Sequence, residues 1–379
     1  MVCLRKIKNI QLKPRFALAL KIIGFLLCTI LGIFLFYRAQ INGIKKYGYS
    51  ELASKNILFS KHRNYVLKVG GNKTLNAAFE GNDLKEKYLD NYTKIKYVEH
   101  EHLISNINAL LDKGYSNNDI NIIMSHGDDK SVSEFAKRDK IHYLEEFYSI
   151  DFAKLDYYDR YVAYSDETGE DELETVIHVN LNLDKEPYVD STLVSNFSVD
   201  MLINKYRHLS EDFVPSDLTE VPVEYASDSD IQSSRLALNA FIEMYRAAKS
   251  EGYDIVINSG YRSYQDQVDI QQLYFNSYGQ SYVDKYVAKP GYSEHQTGLA
   301  FDIGSRNSRI FADSKESGWM KDNAYKYGFI LRYDERYEDL TKFRKEPWHF
   351  RYVGKEIAKY IYEHNNMSLE EYFVIFLDK

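Results

Sequence analysis

A run of sixteen residues without a formal charge, Ile22 to Tyr37, constrains this chain more than any other feature. Phe25, Leu26, Leu27, Ile30, Leu31, Ile33, Phe34 and Leu35 all fall within it. Counted back to Phe16, with Lys21 reaching for the headgroups, it attains the roughly 20 residues a helix needs to cross a bilayer. A cleaved signal would carry a small-x-small site after the run, and Phe36-Tyr37-Arg38-Ala39 offers none that fits. A lipid-attachment signal would need small residues before Cys28, where Leu26 and Leu27 stand. The expectation is a retained signal anchor over 16–38, giving a single-pass protein of the cell membrane. Residues 1–15 form a basic head carrying Arg5, Lys6, Lys8, Lys13 and Arg15. By the positive-inside rule that head stays cytoplasmic and the remainder is extracellular.

Charge is divided as unevenly as hydropathy. Residues 1–38 hold seven Lys or Arg and no acid, so the remaining 341 residues carry 41 basic and 56 acidic side chains, a net −15. Phosphate attraction needs a basic face, so nucleic acid is excluded as a partner class. Both cysteines, Cys3 and Cys28, lie in the head and the apolar run. The outward part therefore has neither a disulfide framework nor thiol catalysis, and a metal site there must use His and carboxylates. The 34 tyrosines are read as a compositional habit, not as a binding code.

Past the anchor, Gly48-Tyr49-Ser50 recurs as Gly114-Tyr115-Ser116, an offset of 66. Ile57 and Ile123, Leu89 and Leu155, Asp90 and Asp156, and Tyr92 and Tyr158 keep that offset. The reading is a two-copy helical repeat module over 39–170, its copies opened by Ser caps. A plain spacer is one role for it, and recognition of wall material or a partner protein another. From Thr175 to Leu183 apolar and polar residues alternate, which predicts a strand and a domain boundary near 170. Ile231–Lys249 has a helical stripe of Leu236, Ala240, Phe241, Met244 and Ala248. Asp254–Asn258 reads as a buried strand, Tyr264–Tyr274 as a helix, and Leu299–Ile303 and His349–Val353 as strands. The aromatic tail Tyr372–Phe376 reads as core.

Three short segments of the second half are too polar for their settings. Ser259-Gly260-Tyr261-Arg262-Ser263 ends a buried strand, and its glycine allows the turn that projects Arg262. In Ser293-Glu294-His295-Gln296-Thr297-Gly298-Leu299-Ala300-Phe301-Asp302, strand alternation sets Ala300 and Asp302 on one face. A carboxylate among apolar neighbours is costly unless it is paired or bound to a cation. Glu346-Pro347-Trp348-His349 fixes an acid three residues from an imidazole. His295, Asp302 and His349 make a set of three zinc ligands, leaving the fourth position to water. Glu346 is close enough to serve as general base without binding the metal. Taken singly, each of these residues has an ordinary structural explanation; the three motifs together do not. His178, His208 and the other histidines have no such company, and Trp348 reads as a packing wall.

SGYRS, S-x-H-x-x-G-x-A-x-D and E-P-W-H, in this order, resemble the VanY-type D-alanyl-D-alanine carboxypeptidases, zinc peptidases of the D-Ala-D-Ala family. The resemblance runs from about Leu202 to Val353 and takes in Asn204-Lys205-Tyr206 and Phe213-Val214-Pro215. It implies an α+β catalytic domain over 171–379, with a mostly antiparallel sheet flanked by helices. It implies that His295, Asp302 and His349 hold Zn2+, that Glu346 is the base, and that Arg262 faces the substrate. Ser293 and Gln267 match substrate-contacting positions. The implied activity is removal of the terminal D-alanine from peptidoglycan stem peptides. An L,D-carboxypeptidase, an endopeptidase on the same stems, and a wall-binding protein without turnover are the alternatives. Thr341-Lys342-Phe343-Arg344-Lys345 departs from the more aromatic, glycine-containing stretch usual before that glutamate, which bears on the shape of one pocket wall and not on the zinc chemistry.

Overall fold

The computed structural model describes residues 14–141 and 144–378. The basic head up to Lys13, with Cys3, and His142 lie outside the described residues. The chain forms two compact units, Met1–Tyr148 and Ser149–Lys379.

The first unit is helical. Helix α1, Pro14–Lys45, contains a segment long and apolar enough to cross a membrane, Leu18–Lys45. None of its most apolar window is buried. Leaving Phe25 and Phe36 bare to water forgoes roughly 1.5–3 kcal/mol per side chain, so such a helix suits lipid, as a membrane anchor or a signal sequence. Near its end the helix becomes ordinary core, with Ile41 and Ile44 buried. Ser50 caps helix α2, Glu51–Leu58, and Ser116 caps helix α3, Asn117–His126, each through its side chain. Tyr49 and Tyr115, and Ile57 and Ile123, are buried at the matching positions. The local geometry around Tyr92 is repeated within the second unit at Tyr161, a spacing three residues longer than the sequence pairing of Tyr92 with Tyr158. The hydroxyl of Tyr92 receives Lys85 N and donates to Asn108, while that of Tyr161 receives Lys154 N and donates to Asn180.

In the second unit the strand expected over Thr175–Leu183 is instead helix α4, Glu172–Asn180. Asp171 caps it by accepting from Glu174 N, and Val176, Ile177, Val179 and Asn180 are all buried. Positions 176, 179 and 180 share a helical face as readily as alternate ones share a strand face, and the cap decides. Helix α5, Arg235–Ser250, starts later than expected because Gln232–Ser234 pairs as a short strand with Leu218–Glu220. Its buried stripe takes in Ala237, Ala240, Phe241, Met244 and Ala248; Leu236 is 45% exposed and does not belong to it.

Strand β1 is Ile255–Ser259, followed by helices α6, Tyr264–Tyr278, and α7, Gln280–Tyr286. Strands β2, Ala300–Ser305, β3, Phe329–Tyr333, and β4, Glu346–Tyr352, complete a sheet of order β1-β2-β4-β3, antiparallel throughout. One core lies between α5 and this sheet, where Phe241 meets Phe301 edge-on at 5.9 Å. A second gathers Ile177, Leu202, Ile330 and Val353 with helices α8, Lys355–Glu363, and α9, Leu369–Tyr372. In the aromatic tail Phe373 and Val374 are buried, while Phe376 is 36% exposed.

Candidate active site

Register brings the chemistry to the middle of the sheet. Asp302 on β2 lies opposite His349 on β4. Side chains paired across antiparallel strands project from one face with Cβ atoms about 5 Å apart. The neighbouring pair, Phe301 and Phe350, points into the core. Glu346 precedes His349 by three residues, so a regular strand would send the two to opposite faces. Here the β3–β4 register slips, Leu331 pairing with Phe350 and Tyr333 with Glu346. The bulge aims both side chains at one point, with Glu346 Oε2 3.5 Å from His349 Nδ1. A second slip, on β1 between Ile257 and Ser259, sets Ser259 beside Asp302.

His295 arrives from outside the sheet. Ser293 Oγ accepts from His295 N and starts a single 3-10 turn, Glu294–Thr297. Gly298 ends the turn at φ +67°, and a Cβ there would lie 2.8 Å from Ser234 N, so only glycine fits. His295 Nδ1 donates to Gly260 O at 2.6 Å, and Nε2 faces Asp302 Oδ1 at 3.5 Å. His349 is held the other way round. Its Nε2 meets Glu294 Oε2 at 3.2 Å, and its Nδ1 lies 3.4 Å from Asp302 Oδ1. One ligand atom from each of His295, Asp302 and His349 falls within 4.8 Å of the others.

Electrostatics follow from burial and these contacts. Burial and the Arg262 charge push His295 down, favouring a neutral imidazole. Burial also opposes charge on His349, but hydrogen bonds with Asp302 and Glu294 outweigh it and lift the group to about 9. Burial works against ionised Asp302 too, yet His295, His349 and Arg262 hold it well below the usual carboxylate range. Glu346 is pushed up to about 7, chiefly by burial. A carboxylate so placed exchanges a proton readily near neutral pH.

The expected substrate-facing residues line the same cavity, about 200 Å3 in volume, together with Tyr333, Phe343 and Trp348. Arg262 Nη2 bonds Asp302 Oδ2 at 2.6 Å, and its Nε donates to Ser259 Oγ at 2.9 Å. Gln267 is 3% exposed; its Nε2 donates to Ala288 O at 2.8 Å, and its buried Oε1 has no protein partner. The Ser293 hydroxyl lies at the same wall. Trp348 is 39% exposed and forms a rim more than a packed wall.

Sequence reasoning missed the support behind the cluster. Glu294 is wholly buried and accepts from Arg332 Nε at 2.8 Å and Arg351 Nη1 at 3.2 Å besides facing His349. Arg332 also forms a two-pronged pair with Glu370 of α9, at 2.8 and 2.6 Å. Two acids and two guanidinium groups thus balance in the interior, as buried charges must. The signal available was an arginine inside each of two apolar strands, Phe329–Tyr333 and Glu346–Tyr352.

The family model for VanY, D-alanyl-D-alanine carboxypeptidase, matches residues 230–355. VanXYC of Enterococcus gallinarum, named a bifunctional D-Ala-D-Ala dipeptidase and carboxypeptidase, is 34% identical over 178 residues, which is 45% of this chain and 91% of VanXYC. The chain belongs to the VanY family. A relative in Bacillus subtilis (strain 168), YodJ, named a putative carboxypeptidase, is 45% identical over 180 residues. That match covers 45% of this chain and 66% of YodJ, just under two thirds of its length. The solved structure of the LdcB LD-carboxypeptidase is similar at a TM-score of 0.45, with 40% identity over 49% of this chain and 91% of that one.

The VanY family implies zinc, and the donors fit it. Two imidazole nitrogens and one carboxylate oxygen converge, the set that suits Zn2+ in a site open to water. Each imidazole has its second nitrogen held by an oxygen, Gly260 O or Glu294 Oε2, which fixes ring and tautomer for metal binding.

Proposed function

We propose that this VanY-family chain is a zinc-dependent D,D-carboxypeptidase that removes the terminal D-alanine from peptidoglycan stem peptides. The observation that carries the reading is the convergence of His295, Asp302 and His349 in a cavity with the Glu346 carboxylate beside them. In this reading the catalytic function resides in 171–379, and α1 anchors the chain with that part outside the membrane. Residues 39–170 act as a two-copy helical spacer, or as a module that recognises the wall or a protein.

His295, Asp302 and His349 would hold the zinc, and Glu346 would not. Bound there, zinc supplies Lewis acidity, polarising the scissile carbonyl and acidifying a water molecule. Glu346 Oε2 takes the proton of the attacking water and later delivers it to the leaving amine. Its burial keeps bulk water from competing for that proton. Arg262 offers a fixed positive charge to the developing oxyanion or the terminal carboxylate, a donor worth about 3 kcal/mol when well placed. The Ser293 hydroxyl is a second donor for that carboxylate. Gln267 Oε1, buried without a protein partner, accepts a substrate N–H.

The test offers the full-length chain synthetic stem pentapeptide and tetrapeptide, with and without a zinc chelator. Release of D-Ala from the pentapeptide alone, abolished by the chelator, is the expected result. Release from the tetrapeptide alone would move the enzyme to the L,D class. No release from either, with zinc bound, would overturn the exopeptidase reading and leave an endopeptidase or a binding protein.

A further inference from the structure

Helices α6 and α7 carry an arrangement that the hydrolytic chemistry does not use. Tyr274, Tyr278, Tyr282 and Tyr286 recur every four residues, a spacing that keeps side chains on one helical face. The row continues across Gly279, whose φ of +77° separates the two helices. Tyr278 stacks on Tyr282, and Tyr286 is tilted 30° against Tyr282, each pair at 4.6 Å between centroids. Tyr274 lies parallel to Tyr282 within 4°, at 5.9 Å.

This row is not core. Of the fifteen side chains of α6 only Gln267 is buried, and Tyr278 is 63% exposed. Tyr278 and Tyr286 are exposed while Tyr274 and Tyr282 are half-buried, and aromatic surface left open beside a cavity marks a binding site. Its place says for what. Tyr274, Tyr282 and Tyr286 line the cavity that holds His295, Asp302 and His349. Tyr278, Tyr282 and Tyr286 line an adjoining open groove. The strip therefore runs without a break from the hydrolytic cavity to solvent. A substrate whose N-terminal end leaves the cavity by this groove would carry its attached group onto the row.

We infer that the tyrosine row is a saccharide platform, which binds pyranose rings of the glycan that carries the stem peptide. The inference rests on the stem-peptide reading above. A pyranose has a face of C–H bonds and an edge of hydroxyls. Tyr282 lies between its neighbours, but Tyr278, 63% exposed, keeps ring surface open for the former, and the phenols of the row exchange hydrogen bonds with the latter. Most of the charge in the groove is paired, Lys345 with Glu335 at 2.7 Å and Arg344 with Glu338, which leaves Lys285 as the one further cation among its described lining residues. Reach agrees as well: a five-residue stem, fully extended, spans at most about 17 Å, so its sugar stays near the cavity mouth.

The experiment compares kcat/KM of the full-length chain on free stem pentapeptide and on the same peptide joined through its N-terminus to an amino-sugar disaccharide. One stacking contact predicts about a 3- to 10-fold advantage for the sugar-bearing substrate, expressed in KM. Tyr278→Ser, outside the hydrolytic cavity, should bring the two substrates to parity. Parity in the wild type, or an advantage that survives Tyr278→Ser, would overturn the platform. If neither substrate is cleaved, the carboxypeptidase reading fails and binding alone decides the platform. Saturation-transfer NMR then probes a peptide-free β-1,4-linked N-acetylglucosamine tetramer. Transfer from the wild type that Tyr278→Ser abolishes upholds the site, and no transfer from the wild type removes it.

Discussion

Glu294→Gln takes one charge from a buried group of four while hardly changing side-chain shape. Arg332 and Arg351 are then left with Glu370 as their remaining acid, and a net positive charge stays in the interior. At a charge separation of ~4 Å and an effective dielectric of ~20, each lost attraction is about 4 kcal/mol. Two are lost, but the desolvation cost of the Glu294 charge, several kcal/mol, is no longer incurred. The balance is a loss of about 3–5 kcal/mol of stability. The same change removes the carboxylate that orients His349 through Nε2, and loss of such a partner lowers metal affinity about 10- to 100-fold. Glu370→Gln is the control. It removes a single guanidinium attraction, that of Arg332, and does not touch His349, so it should cost less stability than Glu294→Gln and nearly preserve zinc affinity. Urea unfolding of the metal-free chain reads the first quantity, and competition with a chromophoric chelator reads the second. Equal zinc affinity in Glu294→Gln and the wild type would refute the orienting role. A stability loss below about 1 kcal/mol, the range of an exposed pair, would refute the charge balance.

Glu346→Gln should lower kcat about 10²- to 10⁴-fold while zinc content, measured by elemental analysis, is kept, because the side chain neighbours the cluster without belonging to it. Gly298→Ala forces a Cβ against Ser234 N in a left-handed turn, at a cost of about 1–3 kcal/mol; thermal unfolding should show the loss, and zinc affinity should fall because the turn carries His295. Lys205 is pushed down to about 8 by burial, although its Nζ donates to Asp284 O and Lys342 O. Between pH ~8 and ~10.5 the unfolded chain binds more protons at this residue than the folded one, so its contribution to stability rises with pH by about 3 kcal/mol. Measured against Lys205→Met, the wild type should gain by that amount across the window, and a pH-independent difference would show that Lys205 is not strained by burial.

The cluster of His295, Asp302 and His349 was legible in the sequence because its residue types are rare among apolar strands. An aspartate alternating with Leu299, Phe301 and Ile303 has few reasons to be there, and the strands around it announce themselves by buried β-branched and aromatic residues. Helix α4 was not legible. Its Val176, Ile177 and Val179 satisfy a strand pattern as well as a helical one, and the Asp171 cap with the burial of Asn180 tipped the balance. Glu294 was hidden for a different reason. In the chain it is one acid among 56, next to a histidine whose own environment it does not govern. It acts on His349, 55 residues away, and that contact exists only once β4 lies beside β2.

The tyrosines divide in the same way. Their four-residue spacing is written in the sequence, but so is that of many buried helical faces, and only the fold leaves this one bare beside the cavity. What the sequence determined by itself was local: which segments could be apolar strands, where a helix could begin, which side chains could bind a metal. Tertiary structure decided relative position. The slip between β3 and β4 turned Glu346 to the side of His349, and the β2–β4 register set Asp302 opposite His349. The physical reason is that an extended strand sends residues three apart to opposite faces, and only the partner strand's hydrogen bonds determine where that alternation is broken.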